Sequence, residues 1–365
     1  MSGAQAKFVL TAGGTGGHLF PAQALAETLL RRGHRLVLMT DARGAAYADR
    51  FPGAEVVTLS SASPSGNLIR KVAAAWKLLR GGFAALAHLR RIAPAAVIGF
   101  GGYASFPALW AAGRQRLPIV LHEQNAHLGR ANRMFADRAG HIALSFADTN
   151  AVPGSIPTEL TGNPVRDAIS AVRQRVYEAP SHDGSINLLI FGGSLGASIF
   201  ADVVPEAIGQ LPEKLRNRVV VIQQVREAEI ESVRAAYADH GIQAELATFF
   251  DNMDELLSGT HLVLARAGAS TCTELMVAGR PSILVPYPHA ADDHQTANAK
   301  TLTEAGAAWL VPNEKFDAAT CSRSLAALLE DPATLTKMAA SAHAIAMPDA
   351  AERLADLAEQ AGGVA

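Results

Sequence analysis

Four of the five positions from Gly13 to Gly17 are glycine, and His18 follows at once. The stretch AGGTGGHLFPA, Ala12 to Ala22, comes after the apolar run Phe8-Val9-Leu10 and before an apparent helix. Strand, glycine loop and helix together form an anion cradle. The first N–H groups of a helix have no partner within it, and they carry partial positive charge. That attraction is worth about 0.3–1 kcal/mol, and up to ~2 in a partly buried site. Neither familiar fingerprint fits. A P-loop needs Lys and then Ser or Thr after its last glycine, where this chain has His18-Leu19; G-x-G-x-x-G begun at Gly14 needs glycine where Leu19 stands. Lacking that lysine and the hydroxyl that holds magnesium, the loop suits a diphosphate or a sugar better than a triphosphate. A ligand-free tight turn is the plainer reading, and the density of glycine argues against it. His18 is either a general base, its imidazole pKa of about 6.5 lowered at a helix N-terminus, or a helix residue that hydrogen-bonds the loop.

A second loop of this kind is GGSLG, Gly192 to Gly196, after Leu188-Leu189-Ile190. It matches the hydrolase nucleophile elbow G-x-S-x-G letter for letter, and Asp292, Asp293, His289 and His294 downstream supply the order Ser, Asp, His. The rival reading has Ser194 donating its hydroxyl to a phosphate oxygen at a second helix N-terminus. That reading explains both glycine loops by one mechanism and is preferred.

HEQNAH, His122 to His127, has three residues between Glu123 and His127 where the zinc motif has two, and it follows a strand rather than riding a helix. A zinc site is not expected there; a polar pocket or hydrogen-bonding turn residues are the two readings. The chain has no Asp-x-Asp metal clamp, so leaving-group charge would fall to helix ends and arginines, with Arg166 and Arg266 as candidates. ARAGASTCTELMVAGRPSILVPYP, from Ala265, is another strand, glycine turn and helix. Glu274 on that helix suits the two hydroxyls of a ribose, unless it is merely solvated. Gln295 and Asn298 share one helical face and suit sugar hydroxyls, or are polar surface.

These residues need strands to carry them. Apolar runs occur at Phe8–Leu10, Leu36–Met39, Ala96–Ile98, Ile119–Leu121 and Ile142–Leu144, then at Leu188–Phe191, Val219–Ile222, Leu246–Phe249, Leu262–Ala265 and Ser282–Val285. Helical patterns lie between them, which predicts α/β architecture with parallel sheets. The expected organisation is two Rossmann-like domains facing across a cleft, residues 1–163 and 164–348, with the last helix, 349–365, packed back on the first. Ligands would sit at the carboxyl ends of both sheets.

With 365 residues, 49% apolar and 18% charged, the chain is long enough for two cores. A net charge of −2 argues against nucleic acid as a partner. Two cysteines, Cys272 and Cys321, make no disulfide framework, as expected in a reducing cytoplasm. No signal pattern and no membrane-spanning apolar stretch are recognised. From Leu68 to Ile92, however, Ile69, Val72, Trp76, Leu79 and Phe83 recur at near-helical spacing among Arg70, Lys71, Lys77, Arg80, Arg90 and Arg91. That pattern fits either an ordinary packed helix or a helix lying on anionic headgroups, at about 1 kcal/mol per basic residue.

In series, GGTGGHLFPA, GFGGYASFP, HEQNAHLGRANR, TGNPVR, FGGSLGA and ARAGASTCTELMVAGRPSILVPYPHAADDHQTANA resemble the MurG family of bacterial peptidoglycan N-acetylglucosaminyltransferases. The resemblance spans the chain, loosest at Leu68–Ile92 and over the last fifty residues. It implies a GT-B fold and an inverting, metal-independent transfer of GlcNAc from UDP-GlcNAc, without cofactor. The implied acceptor is undecaprenyl-pyrophosphoryl-MurNAc-pentapeptide (lipid I), met at the cytoplasmic face of the cell membrane. Position by position, Thr15, Gly16 and Gly17 would meet the donor sugar or the acceptor diphosphate. Asn125 would contact GlcNAc, Asn132 would lie near the acceptor, and Arg166 and Ser194 would hold the UDP phosphates. Phe249, Phe250 and Met253 would lie against the uracil. Ala269, Ser270, Thr271, Cys272, Thr273 and Glu274 would wrap the nucleotide, with Gln295 and Asn298 on the sugar. His18 would take the proton of the MurNAc 4-hydroxyl. A UDP-GlcNAc 2-epimerase, a Ser194 hydrolase and a silent sugar-nucleotide-binding subunit are the rival readings.

Overall fold

The computed structural model describes residues 5–14, 16–63, 67–193 and 196–364. The chain forms two compact units, one of Met1–Arg166 with Met347–Ala365 and one of Asp167–Ala346. The first holds strands β1 (Lys7–Thr11), β2 (Arg35–Thr40), β3 (Ala54–Thr58), β4 (Ala96–Gly99), β5 (Ile119–Glu123), β6 (His141–Leu144) and β7 (Thr158–Leu160). The second holds β8 (Ile186–Phe191), β9 (Val219–Gln224), β10 (Ala244–Ala247), β11 (Leu262–Ala265), β12 (Ser282–Leu284) and β13 (Ala308–Leu310).

Every strand pairs in parallel, in the orders β3-β2-β1-β4-β5-β6-β7 and β10-β9-β8-β11-β12-β13. These are doubly wound sheets whose order reverses between β1 and β4 and between β8 and β11, so a crevice opens at each switch point. Alternate side chains of β1 serve opposite faces. Phe8 and Leu10 enter one core together with Leu354, Ala355, Leu357 and Ala358 of the Ala350–Gly362 helix, while Val9 enters the other with Ala85, Leu89 and Ile92. The Ala350–Gly362 helix is held to the first unit by charge as well. Arg32 reaches Asp356 and Glu359, both at 2.7 Å, and His34 Nε2 lies 2.8 Å from Glu359.

Three strands go unmarked by the sequence reading: β3, β7 and β13. β3, β13 and β7 are edge strands, and β7 and β13 have three residues each, too few for a hydrophobic period. The run expected at Leu246–Phe249 is shifted, because β10 pairs Ala244 with Val221 and Ala247 with Gln224. An edge strand has one neighbour to satisfy, and its half-exposed side chains leave backbone pairing to set the limits.

Candidate active site

The first glycine loop leaves β1 and enters the Gly16–Arg31 helix, directly at the first switch point. Its glycines serve different ends. A Cβ on Gly14 would lie 2.6 Å from Arg43 Cβ, and one on Gly16 would lie 3.0 Å from the Phe20 ring. On Gly13 it would lie 3.0 Å from His18 Cδ2. Gly17 alone has nothing within 4 Å. Gly13, Gly14 and Gly16 thus let the chain pack on itself, and Gly17 presents open backbone. The loop after β4 brings Gly101 and Gly102, with φ of +83° and +74°, against the same place. Ser105 Oγ ties this loop down, 2.6 Å from Gly101 O and 3.0 Å from Thr11 O.

At the end of β5, HEQN is not an open pocket. His122 and Glu123 are buried. Glu123 accepts from Asn125 N and Nδ2, Gly129 N and Asn132 Nδ2, at 2.8–3.2 Å. A carboxylate surrounded by four donors is a well-compensated buried charge, and it shapes the turn. Asn132 is buried with Oδ1 lacking a hydrogen-bond partner, while Asn125 stays half-buried. His122 Nε2 lies 3.0 Å from Gly162 O, and burial pushes its pKa down to about 4, a nearby His18 adding to the fall. Gln124, which the sequence reading placed in a polar pocket without a role of its own, joins His122 to His18. Its Nε2 is 2.9 Å from His122 Nδ1, and its Oε1 is 3.1 Å from His18 Nδ1. His18 itself is half-buried. Arg166, the last residue of this unit, holds its guanidinium 5.0 Å from the centroid of Phe20.

In the second unit, the loop after β8 has Gly193 and Gly196 at φ of +82° and +67°. A Cβ on Gly192 would meet the returning chain, 2.4 Å from Ala197 N. Gln224, at the end of β9, fastens the loop by accepting from Gly192 N and donating to Thr248 O, both at 3.1 Å. It thereby fixes the segment leading to Phe249, which is exposed, Phe250, which is buried, and half-buried Met253. Thr15 and Ser194 lie outside the described residues.

At the second switch point β11 leads through Gly268 into the Ala269–Ala278 helix, whose first turn has no side-chain cap. Ser270 Oγ is buried there without a hydrogen-bond partner. The first-turn N–H groups and this hydroxyl form a donor set suited to an anion. Thr271, Cys272 and Thr273 are buried, and burial pushes the Cys272 thiol up to about 12. Ser270 and Glu274 are half-buried.

Gln295 and Asn298 do share a face, and both grip Ala267. Gln295 Oε1 accepts from Ala267 N at 3.2 Å and from Tyr287 N at 2.9 Å, and Asn298 Nδ2 donates to Ala267 O at 3.0 Å. Asn298 is fully buried, and its bond to Ala267 holds the loop before the helix. Arg266 is buried, its Nη1 donating to the carbonyls of Val285 and Pro286 and to Asn313 Oδ1, while its Nε is buried without a hydrogen-bond partner.

Two family models match the chain: the glycosyltransferase family 28 N-terminal domain over residues 8–144 and its C-terminal domain over 187–354. A protein of Rhodospirillum centenum is 51% identical over 361 residues, 98% of this chain and 95% of its own. Its name is UDP-N-acetylglucosamine--N-acetylmuramyl-(pentapeptide) pyrophosphoryl-undecaprenol N-acetylglucosamine transferase. The crystal structure of MurG from Acinetobacter baumannii superposes with a TM-score of 0.79 at 30% identity, covering 97% of this chain and 99% of that one. A UDP-N-acetylglucosamine 2-epimerase structure from Listeria monocytogenes reaches 0.70 at 16% identity, covering 98% and 96%, a likeness of fold alone.

Proposed function

The chain belongs to glycosyltransferase family 28, and on that premise we propose that it moves GlcNAc from UDP-GlcNAc onto undecaprenyl-pyrophosphoryl-MurNAc-pentapeptide, making lipid II for peptidoglycan. It is an N-acetylglucosaminyltransferase. The observation that carries this is the near-full-length relative of that name; the epimerase shares only the fold, and a Ser194 hydrolase would leave the first loop unused.

The second unit takes the donor. Backbone N–H groups at the start of the Ala269–Ala278 helix and the Ser270 hydroxyl receive the diphosphate, with Ser194 as a further donor. Glu274 accepts from the ribose, and Phe249, Phe250 and Met253 flank the uracil. The first unit takes the acceptor at Gly17, Asn125 and the loop beside buried Asn132. The MurNAc 4-hydroxyl oxygen forms its bond to the anomeric carbon, and its proton passes to His18. The bond from that carbon to the β-phosphate oxygen breaks, and its electron pair leaves on UDP, where helix-end donors stabilise the charge. The helix ends take the electrostatic part in holding the leaving charge.

The Leu68–Ile92 helix supplies the membrane contact. Asn67 caps it, accepting from Arg70 N at 3.0 Å, and Ala74, Leu78, Ala85, Leu89 and Ile92 line its inner side. Its outer side leaves Leu68, Ile69, Val72, Trp76, Leu79 and Phe83 exposed, from 45% to 79%, beside the six basic residues. Exposed aromatic and aliphatic groups rimmed by cations fit an anionic lipid surface better than water. No described helix is long and apolar enough to cross a membrane.

The deciding experiment follows UDP release from UDP-GlcNAc in EDTA, with and without a short-chain lipid I analogue. Release only with acceptor is expected. Release without it would mean hydrolysis, and UDP-ManNAc in place of UDP would mean epimerisation.

A further inference from the structure

Gln124 is buried, 1% exposed, between two histidines. Its Nε2 lies 3.1 Å from His122 O as well as 2.9 Å from His122 Nδ1. A carbonyl oxygen accepts only, so the side of the amide facing it must be NH2. The orientation of Gln124 follows, and with it three protons. Its NH2 donates to His122 Nδ1, which is therefore the bare nitrogen; the His122 proton sits on Nε2 and is donated to Gly162 O at 3.0 Å. Its Oε1 faces His18 Nδ1 at 3.1 Å and must accept, so that nitrogen carries the hydrogen. The low pKa of His122, about 4, agrees with a neutral ring in this row.

The far end of the row is held firmly. Gly162 has φ of +81°, and a Cβ on it would lie 2.8 Å from Met347 Cβ and 3.0 Å from Ala350 Cβ. Its N–H donates to Leu144 O at 3.1 Å. The near end is half-buried His18, whose ring is wedged beside Gly13 and Gly102.

We propose that Gln124, backed by His122 and the Gly162 carbonyl, is a positioning residue that holds His18 as the Nδ1–H tautomer. His18 Nε2 then carries the lone pair that receives the acceptor's hydroxyl proton. This rests on the reading of His18 as the base, and it adds what that reading lacks: the group that selects the nitrogen. An imidazole without such a partner divides its proton between both nitrogens, and only one of the two neutral forms can act.

The test separates the two readings. Long-range 1H–15N spectra of the histidine-labelled full chain, with the His18 signals assigned from His18→Ala, report the tautomer without reference to activity. Protonated Nδ1 and bare Nε2 are expected; protonated Nε2, or an even mixture, overturns the proposal. Gln124→Leu should mix the tautomers and lower kcat about 10–100-fold, with KM for UDP-GlcNAc within about twofold. In the His18→Ala background the same substitution should change kcat no further, whereas additive losses would overturn a role through His18. Gln124→Glu keeps size and an acceptor for Nδ1–H. It should restore most of kcat at high pH and, by raising the His18 pKa, move the acid limb of the profile upward. An unshifted limb would count against the contact. If His18→Ala keeps full turnover, the base reading falls, and the spectrum alone judges the tautomer.

Discussion

Gly102 packs on Gly13 so closely that a Cβ on Gly102 would lie 3.1 Å from the Gly13 Cα and equally near His18 Cδ2. The loops of β1 and β4 meet through these two glycines, and His18 stands at their meeting point. Gly102 also has φ 74° and ψ 158°, a region that side chains avoid. Gly102→Ala should therefore cost about 1–3 kcal/mol of stability. It should also lower kcat by displacing His18, while UDP affinity, on the proposal that the second unit holds the nucleotide, stays unchanged by calorimetry.

Ser270 offers a cleaner separation of stability from binding. Its Oγ is buried without a hydrogen-bond partner, so Ser270→Ala should leave thermal stability unchanged or slightly raised. If the hydroxyl meets a phosphate oxygen, UDP affinity should fall by about 1.5–3 kcal/mol, the range for hydrogen bonds to charged groups. Titration calorimetry with UDP decides; full affinity would remove Ser270 from the site. Glu274→Ala should weaken UDP binding, and unchanged affinity would remove Glu274 from the site.

For the Leu68–Ile92 helix, Trp76→Glu combined with Phe83→Glu should abolish sedimentation with phosphatidylglycerol vesicles. Turnover on a water-soluble, short-chain acceptor should persist, because the changes touch only exposed positions. Lys71→Ala with Lys77→Ala should weaken vesicle binding by about 1 kcal/mol each, and high salt should mask the difference. Equal binding by all variants would remove this face from the membrane.

His122 makes stability depend on pH. Its pKa is about 4 folded against 6.5 unfolded, so between those values the unfolded chain binds the extra proton. The stability is fully present above pH 6.5 and falls on acidification towards pH 4, by up to about 1.4 kcal/mol per unit. Urea unfolding of wild type at pH 7, 6 and 5 should show this slope, and His122→Gln should flatten it. Equal slopes would mean that His122 is not the group responsible.

Much of the molecule is legible without coordinates. Alternating apolar runs and helical patterns, each opened by a glycine loop, are enough for two doubly wound sheets, because parallel strands buried on both faces must be nearly continuous hydrophobic runs. The Leu68–Ile92 pattern sets that helix's limits and its apolar-basic face, since helical spacing is a property of the chain itself. What the chain alone does not reveal are contacts between segments far apart in sequence. That Arg43, Phe20 and His18 stand against the glycines at 13, 14 and 16 is not written in the loop itself. That Arg266 and Asn298 are bonded to carbonyls of their own unit is likewise seen only in the fold. Gln124 lies in HEQNAH, which reads only as a polar pocket or a turn, and its part follows from standing between His18 and His122 with one carbonyl fixing its orientation. Periodicity is local and survives in the sequence; burial and hydrogen-bond direction are decided by what the fold places opposite, and only the tertiary structure decides them.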